Sequence, residues 1–229
     1  MRPPIKHLSL IIPVLNEAAR LPALLAALQP LRERGVEIIV ADGGSTDGSP
    51  ELARPGADHV LVAPRGRARQ MNAGAAQARG EALLFLHADT ELPPEADRLL
   101  GAALQGGAHW GRFDVRIEGR SRWLPLVAFM MNRRSRWTGI ATGDQAMFVR
   151  RELFERLGGF PDQPLMEDIE LSQRLLAQGL RPACLRGPVR TSGRRWDERG
   201  ALRTIVLMWV LRWRYWRGAS AQSIWEAYR

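Results

Sequence analysis

The chain of 229 residues has one cysteine and, apart from Lys6, no lysine. Cys184 has no partner for an internal disulfide and no metal-ligand spacing around it, so packing and hydrogen bonds must hold the fold, as in a reducing compartment. A lone cysteine of this kind reads as a small buried hydrophobe. Long apolar runs are also missing: Leu124 to Met131 and Ile205 to Leu211 fall well short of the ~20 residues that cross a bilayer. The run Leu8 to Leu15, preceded by Arg2 and Lys6, is interrupted by Pro13 and closed by Asn16 and Glu17 without a small-residue cleavage site. It therefore reads as a buried strand and not as a secretory signal. There is no internal repeat and no low-complexity linker, and the expectation is a cytoplasmic protein that does not span a membrane.

What is present is apolar residue and arginine. A 45% hydrophobic content is enough to bury a full core, and the length suggests one domain with an appended element. The boundary is expected at residue 197, with 198–229 as a helical tail. The formal net charge of +9 rests almost wholly on arginine. It predicts anionic partners, whether nucleic acid, an acidic lipid surface or phosphorylated substrates, and does not choose among them.

The first hundred residues alternate short apolar runs with helical patterns, the signature of βαβ units in a mostly parallel sheet. Leu8 to Val14 is a first strand, and Leu21, Leu24, Leu25, Leu28 and Leu31 fall at helical spacing on its crossover. Val36 to Ala41 is a second strand, Val60 and Val62 mark a third, Arg67 to Ala78 is a helix, and Ala82 to Leu86 a fourth strand. Polar and glycine-rich residues gather after the strands' carboxyl ends, the edge where open α/β sheets bind ligands. Further on, Pro93-Pro94-Glu95 opens a helix, Trp110 to Ile117 and Ala146 to Val149 read as strands, and Arg151 to Leu157 and Asp168 to Gln178 as helices closed by glycines. Residues 121–142, with Trp123, Trp137 and the cluster Arg133, Arg134 and Arg136, show no clear pattern.

Four segments stand in order at these strand and helix ends: Ile12-Pro-Val-Leu-Asn-Glu17, Asp42-Gly-Gly-Ser-Thr-Asp47, His87-Ala-Asp-Thr90 and Met166-Glu-Asp-Ile169. Together they resemble the family 2 glycosyltransferases of the GT-A nucleotide-diphospho-sugar transferase fold, over roughly residues 6–197. The run from Gly143 through Phe160 is similar, more narrowly, to a bacterial subgroup associated with radical-SAM and selenium-linked gene neighbourhoods.

The resemblance implies an inverting transferase that moves a sugar from a UDP- or GDP-linked donor onto an acceptor hydroxyl. It makes Asp89 the ligand of a Mn²⁺ or Mg²⁺ ion shared with the donor diphosphate, since one carboxylate with phosphate oxygens and water is an ordinary shell for such ions. His87 stands where the family's Asp-x-Asp motif begins, and an imidazole there would tilt preference toward Mn²⁺. Pro13, Val14, Asn16 and Glu17 correspond to the loop that receives base and ribose, with Ala88 beside the metal ligand. Asp42 matches an aspartate that bonds the nucleoside, and its Asp, Ser, Thr and Gly neighbours equally suit a capped turn. The family often has a second aspartate at position 43, where this chain has glycine. Arg67, at the glycine-led start of a helix, is expected to reach the diphosphate, while Arg65 and Arg69 read as solvated. Asp168 matches the general base, with Glu167 beside it on a diverging direction. Asp144 and Gln145, and Arg195 and Trp196 of an Arg-Trp segment that lacks the family's glutamine, are expected to face the sugar or acceptor.

Beyond Gly200 the pattern is helical, with Leu202, Val206, Trp209, Trp213 and Trp216 on one stripe and Arg203, Arg214 and Arg217 on the next. Such a helix suits a lipid headgroup layer at the inner face of the membrane, or packing on its own domain or a second subunit, and the sequence leaves these open. Two competing functions are a nucleotidyltransferase, whose glycine-rich Arg/Lys signature near strand one is missing, and an RNA-binding protein gripping phosphate and base with arginine and tryptophan. No nucleic-acid module is visible, so no nucleic acid is expected. Oligomeric state is left open.

Overall fold

The computed structural model describes residues 7–228, without the side chains of residues 195, 198, 199, 201 and 202. Strand β1 (Leu8–Val14) leads through α1 (Leu21–Glu33) to β2 (Glu37–Asp42), then through the short α2 (Ser49–Ala53) to β3 (His59–Val62), and through α3 (Arg67–Gln77) to β4 (Ala82–Phe85). These strands pair in parallel in the order β3-β2-β1-β4, which brings the loops after β1, β2 and β4 to one edge. Strand β1 is apolar without interruption because both its faces are covered. Leu10, Ile12 and Val14 join the leucines of α1 in one core, whereas Ile11 meets Met71 and Ala75 of α3 in the other.

The sheet continues with β7 (Met147–Arg150) antiparallel to β4, β6 (Trp110–Glu118) antiparallel to β7, β8 (Ala183–Ser192) parallel to β6, and the two-residue β5 (Thr90–Glu91) at the edge. Strand β8 carries no apolar run, since Arg186, Gly187, Pro188 and Arg190 lie within it. Only its pairing to β6 reveals it. Helices α4 (Ala96–Gln105) and α6 (Arg151–Arg156) flank the sheet. Residues 121–142, unpatterned in sequence, hold α5 (Leu124–Thr138), which starts with Pro125 in its first turn and ends on Gly139 at φ 75°. Its inner face is short, Leu124, Val127, Ala128 and Ser135, while Leu126, Phe129, Met130 and Trp137 are exposed. That mixture blurs the helical period.

Helix α7 (Glu167–Ala177) is followed, after β8, by α8 (Arg194–Arg199), α9 (Ala201–Trp216) and α10 (Ala221–Tyr228), with the tail broken at Gly218. The stripe of Val206, Trp209, Trp213 and Trp216 faces solvent, while the side chain of Leu202 lies outside the described residues. Packing instead uses Leu207 and Leu211 of α9 and Ile224 of α10 against Leu165, Met166 and Ile169. The tail thus closes over the segment that starts α7. No helix of the described residues is long and apolar enough to cross a membrane.

Candidate active site

The loops after β1 and β2 are knitted to each other. The Asn16 and Glu17 amides donate to the hydroxyls of Ser45 and Ser49, Ala18 donates to Asp47, and Thr46 donates to the Asn16 side-chain carbonyl. Asn16 takes the left-handed conformation, φ 56°, which asparagine tolerates better than most residues. Asp42 is only 1% exposed, and its carboxylate accepts from the Gly44 and Ser45 amides and the Ser45 hydroxyl. Expected to bond a nucleoside, it instead gives its lone pairs to the turn and does not line the cleft. Gln70 escaped the sequence reading because a glutamine in a helix carries no signal. From α3 it donates to the backbone carbonyls of Val14, at 2.7 Å, and Ala41, at 2.9 Å, tying both strand ends together. A Cβ at Gly43 would fall 2.9 Å from the Gln70 side chain, so the glycine that departs from the family pattern makes room for this clamp.

Above these loops opens a chamber of about 450 Å³, lined by Pro13, Val14, Glu17, Arg20, Gly66, Arg67, Ala88 and Asp89. Gly66, at φ 139°, lets α3 begin abruptly with no side-chain cap, so its first amides are left for a ligand or water. Burial raises the Glu17 carboxyl above its usual range, with Asp89 and Asp47 adding to the rise and Arg20 and Arg194 opposing it.

A second chamber of about 180 Å³ adjoins the first and shares Arg67, His87, Asp89 and Arg194 with it. Its further lining includes Asp144, Glu167, Asp168, Ser192, Trp196 and Arg212. Asp89 and Asp168, remote in sequence, face one cleft. The Asp168 carboxylate accepts from the Gly143 amide on one oxygen and from the Ile169 amide on the other, both at 2.7 Å, which fixes its orientation. Glu167 is 2% exposed with Arg67 3.5 Å away. Burial pushes its carboxyl up to about 7, against the pull of Arg67 and with a further push from Asp168. For Arg67 desolvation works against the charge, but the surrounding Glu167, Asp144, Asp168 and Asp89 outweigh it and raise the guanidinium above its ordinary value.

His87 Nδ1 lies 3.7 Å from Asp144, and a Cβ on Gly143 would sit 2.4 Å from the imidazole, so only glycine allows that approach. Gln145, expected to face sugar or acceptor, is enclosed: its side-chain oxygen accepts from Thr142 in a capping box and its amide reaches Asn132. The side chain of Arg195 lies outside the described residues. Arg69, read as solvated, pairs with Asp162 at 2.6 Å on the surface. Arg20, Arg194 and Arg212 line the cleft although the sequence singled out none of them, since arginine in so basic a chain carries little information.

Among the described residues no three His, Cys, Asp or Glu side chains converge as a metal cage. A cation here would need ligands from a bound molecule. Asp89 suits that arrangement: its side chain is exposed in the cleft, and one carboxylate oxygen accepts from the Thr90 hydroxyl.

Residues 9–158 match the model of glycosyl transferase family 2. The chain belongs to that family. Among curated relatives, an undecaprenyl-phosphate 4-deoxy-4-formamido-L-arabinose transferase of Pseudomonas savastanoi pv. phaseolicola is 34% identical over 166 residues, 66% of this chain and 48% of the relative. The transferase of the same name from Pseudomonas paraeruginosa is 36% identical over the same shares. The chain thus spans about half the length of the curated relatives it matches. The family 2 member is similar in fold to S. aureus TarS, at TM-score 0.66 and 18% identity over 82% of this chain and 60% of that one. It is also similar to the mannosyltransferase PcManGT of Pyrobaculum calidifontis, solved with GDP-Man and Mn²⁺, at TM-score 0.59 and 25% identity over 81% and 56%. The fold is that of the GT-A glycosyltransferases, α/β with a mostly parallel central sheet flanked by helices.

Proposed function

We propose that this family 2 glycosyltransferase moves a sugar from a UDP- or GDP-linked donor onto an acceptor hydroxyl in one displacement that inverts the anomeric centre. The observation that carries this reading is the shared cleft of Asp89 and Asp168. Pro13, Val14, Glu17 and Ala88 receive the nucleoside, and Arg67 with the uncapped start of α3 holds the diphosphate. Asp89, joined by His87 if the imidazole turns toward it, would hold Mn²⁺ or Mg²⁺, which when bound offsets the charge on the departing diphosphate. The GDP-Man and Mn²⁺ of the archaeal neighbour support a nucleotide sugar and a divalent ion here. Asp168, oriented by two amides, accepts the proton of the acceptor hydroxyl as the new bond forms. Glu167, beneath Arg67, positions that arginine. Asp144 and Trp196 face the sugar or acceptor.

Residues 1–197 form the transferase unit and 198–229 a tail that walls the acceptor side. We further read the tail as a seat on the inner face of the cell membrane. Trp209, Trp213 and Trp216 are exposed on α9, with Arg217 stacked 5.3 Å over Trp213, a pairing suited to lipid headgroups. The undecaprenyl-phosphate of the relatives' name supports a membrane-proximal acceptor. A screen of UDP and GDP sugars with Mn²⁺, read as hydrolysis or thermal protection, tests the reading. Protection by a nucleotide that depends on the metal supports it; salt-sensitive RNA binding with no nucleotide effect would overturn it in favour of the RNA-binding alternative.

A further inference from the structure

Helix α7 begins against local preference. A helix N-cap is ordinarily an extended Ser, Thr, Asp or Asn whose side chain takes up an early amide, but here it is Met166, left-handed at φ 67° and ψ 18° with no side-chain cap. That conformation is free for glycine and costs a long side chain. Among the described residues two other non-glycine residues have positive φ, Asn16, of a type that tolerates it, and Ala146, whose side chain is minimal. Met166 is neither, and it is buried at 4% exposure.

What calls for a large apolar side chain at this position is the tail. Met166 packs in a cluster with Leu165, Ile169, Leu211 of α9 and Ile224 of α10, apart from the two clusters that cover the sheet. Tyr215 of α9 adds a polar tie: its hydroxyl donates to Glu170 and accepts from Gln163, both at 3.3 Å, so the tail grips the chain on either side of Met166. The body of α7 is held elsewhere. Leu171 and Leu175 lie in a core cluster of the sheet, and the Ser172 hydroxyl accepts from the Ala141 amide. The apolar packing of the first turn therefore comes mostly from the tail, and that turn carries Glu167 and Asp168. With φ positive at Met166, the chain enters the helix so that Glu167 lies by Arg67 and Asp168 meets the Gly143 amide. A return to negative φ would swing the incoming segment against that turn and misplace both carboxyls.

We propose that Met166 and Leu211 are positioning residues for the base: the tail holds Met166 in a conformation it does not favour and thereby keeps Asp168 aimed into the cleft. This assignment rests on the transferase reading, with Asp168 as its base. It makes α9 and α10 a support of the catalytic turn as well as a wall of the site.

Two measurements on the full chain test it. Deuterium exchange of the Gly143 amide, followed by NMR, reports whether Asp168 is in place without any ligand, and turnover of UDP- and GDP-sugars with Mn²⁺ reports the consequence. Met166→Ala keeps the strain and loses the tail contact, so it should speed Gly143 exchange and lower kcat about tenfold at nearly constant donor KM. Met166→Gly is the larger truncation yet should do less of both, because glycine holds this φ unaided. Leu211→Ala should resemble Met166→Ala, and in a Met166→Gly background it should add less than about twofold. The Leu171 and Leu175 amides should exchange as in wild type throughout, since the body of α7 stays in the core; Leu211→Val supplies a milder cavity should Leu211→Ala not fold. Plain packing predicts the opposite order, with glycine at least as damaging as alanine, and that order would sink the assignment. So would Gly143 exchange unmoved by the Leu211 substitutions, or a Leu211→Ala effect of equal size in both backgrounds. Exchange that follows the expected order in a protein turning over no UDP- or GDP-sugar would uphold the tail's hold on this turn and overturn the transferase reading beneath it.

Discussion

The two chambers of the cleft are built on opposite terms. In the first chamber, Asp42, Asn16 and Asp47 are bonded by amides and hydroxyls of the joined loops and Gln70 ties the two strand ends, so that wall is held before any ligand arrives. On the Asp168 side, Glu167 holds its proton to about 7 and Arg134 and Arg212 keep sealed nitrogens without acceptors. The difference teaches that the first chamber is preorganised by the fold, whereas the second is built beside groups whose charge burial disfavours. The walls differ in origin as well. Consecutive βα units supply most of the first, and segments from α7, β8, α8 and α9 converge on the second.

The sharpest way to separate the chambers is Asp168→Asn. Turnover should fall by about 10³-fold while nucleotide affinity, measured by calorimetry, stays nearly unchanged, as expected for loss of a general base. Normal turnover would remove Asp168 from that role. Asp89→Ala should do the reverse to binding, lowering Mn²⁺-dependent nucleotide affinity by roughly tenfold or more; an unaltered metal dependence would contradict the ligand assignment. Gln70→Ala probes the preorganised wall and should destabilise the chain by about 2 kcal/mol, from two lost bonds to buried carbonyls. Denaturant melts would register it, with nucleotide binding weakened as a consequence.

The last prediction is a pH dependence and concerns Glu167. Its folded carboxyl titrates near 7 against an ordinary value of 4.5, so the folded state holds the proton more tightly than the unfolded one. Stability from this group is therefore present below about 4.5 and is lost as pH rises through about 7, a change on the order of 3 kcal/mol for so buried a group. Glu167→Gln should flatten the decline in melting temperature between pH 5 and 7. An identical slope in the variant would mean the carboxyl is not held in this way.

The parallel half of the sheet was legible because burial on both faces leaves uninterrupted apolar runs such as Leu8 to Val14, and crossover helices leave leucines at helical spacing. Asp89 and Asp168 were legible for a different reason: each stands in a short motif at an element end. Helix α5 and strand β8 were hidden, one by a narrow inner face and the other by an arginine-rich run whose strand character comes from its partner β6. Arg134, Arg212, Arg194 and Gln70 were hidden because a basic or polar residue inside a helix looks alike whether it meets solvent or a cleft. Asp42 and Gln145 erred in the other direction, their motif positions pointing outward while their side chains turn into the loops that bear them.

Local pattern in this chain determined the family, the order of the first strands and helices, and the edge at which chemistry gathers, since each depends on residues close together along the backbone. Which arginines lack partners, that the tail's tryptophans face outward while Leu207 and Leu211 pack inward, and that Glu167 keeps its proton were decided only by the tertiary structure. Each of those depends on what distant segments bring against a side chain, and burial, charge and hydrogen-bond supply exist only once they have met.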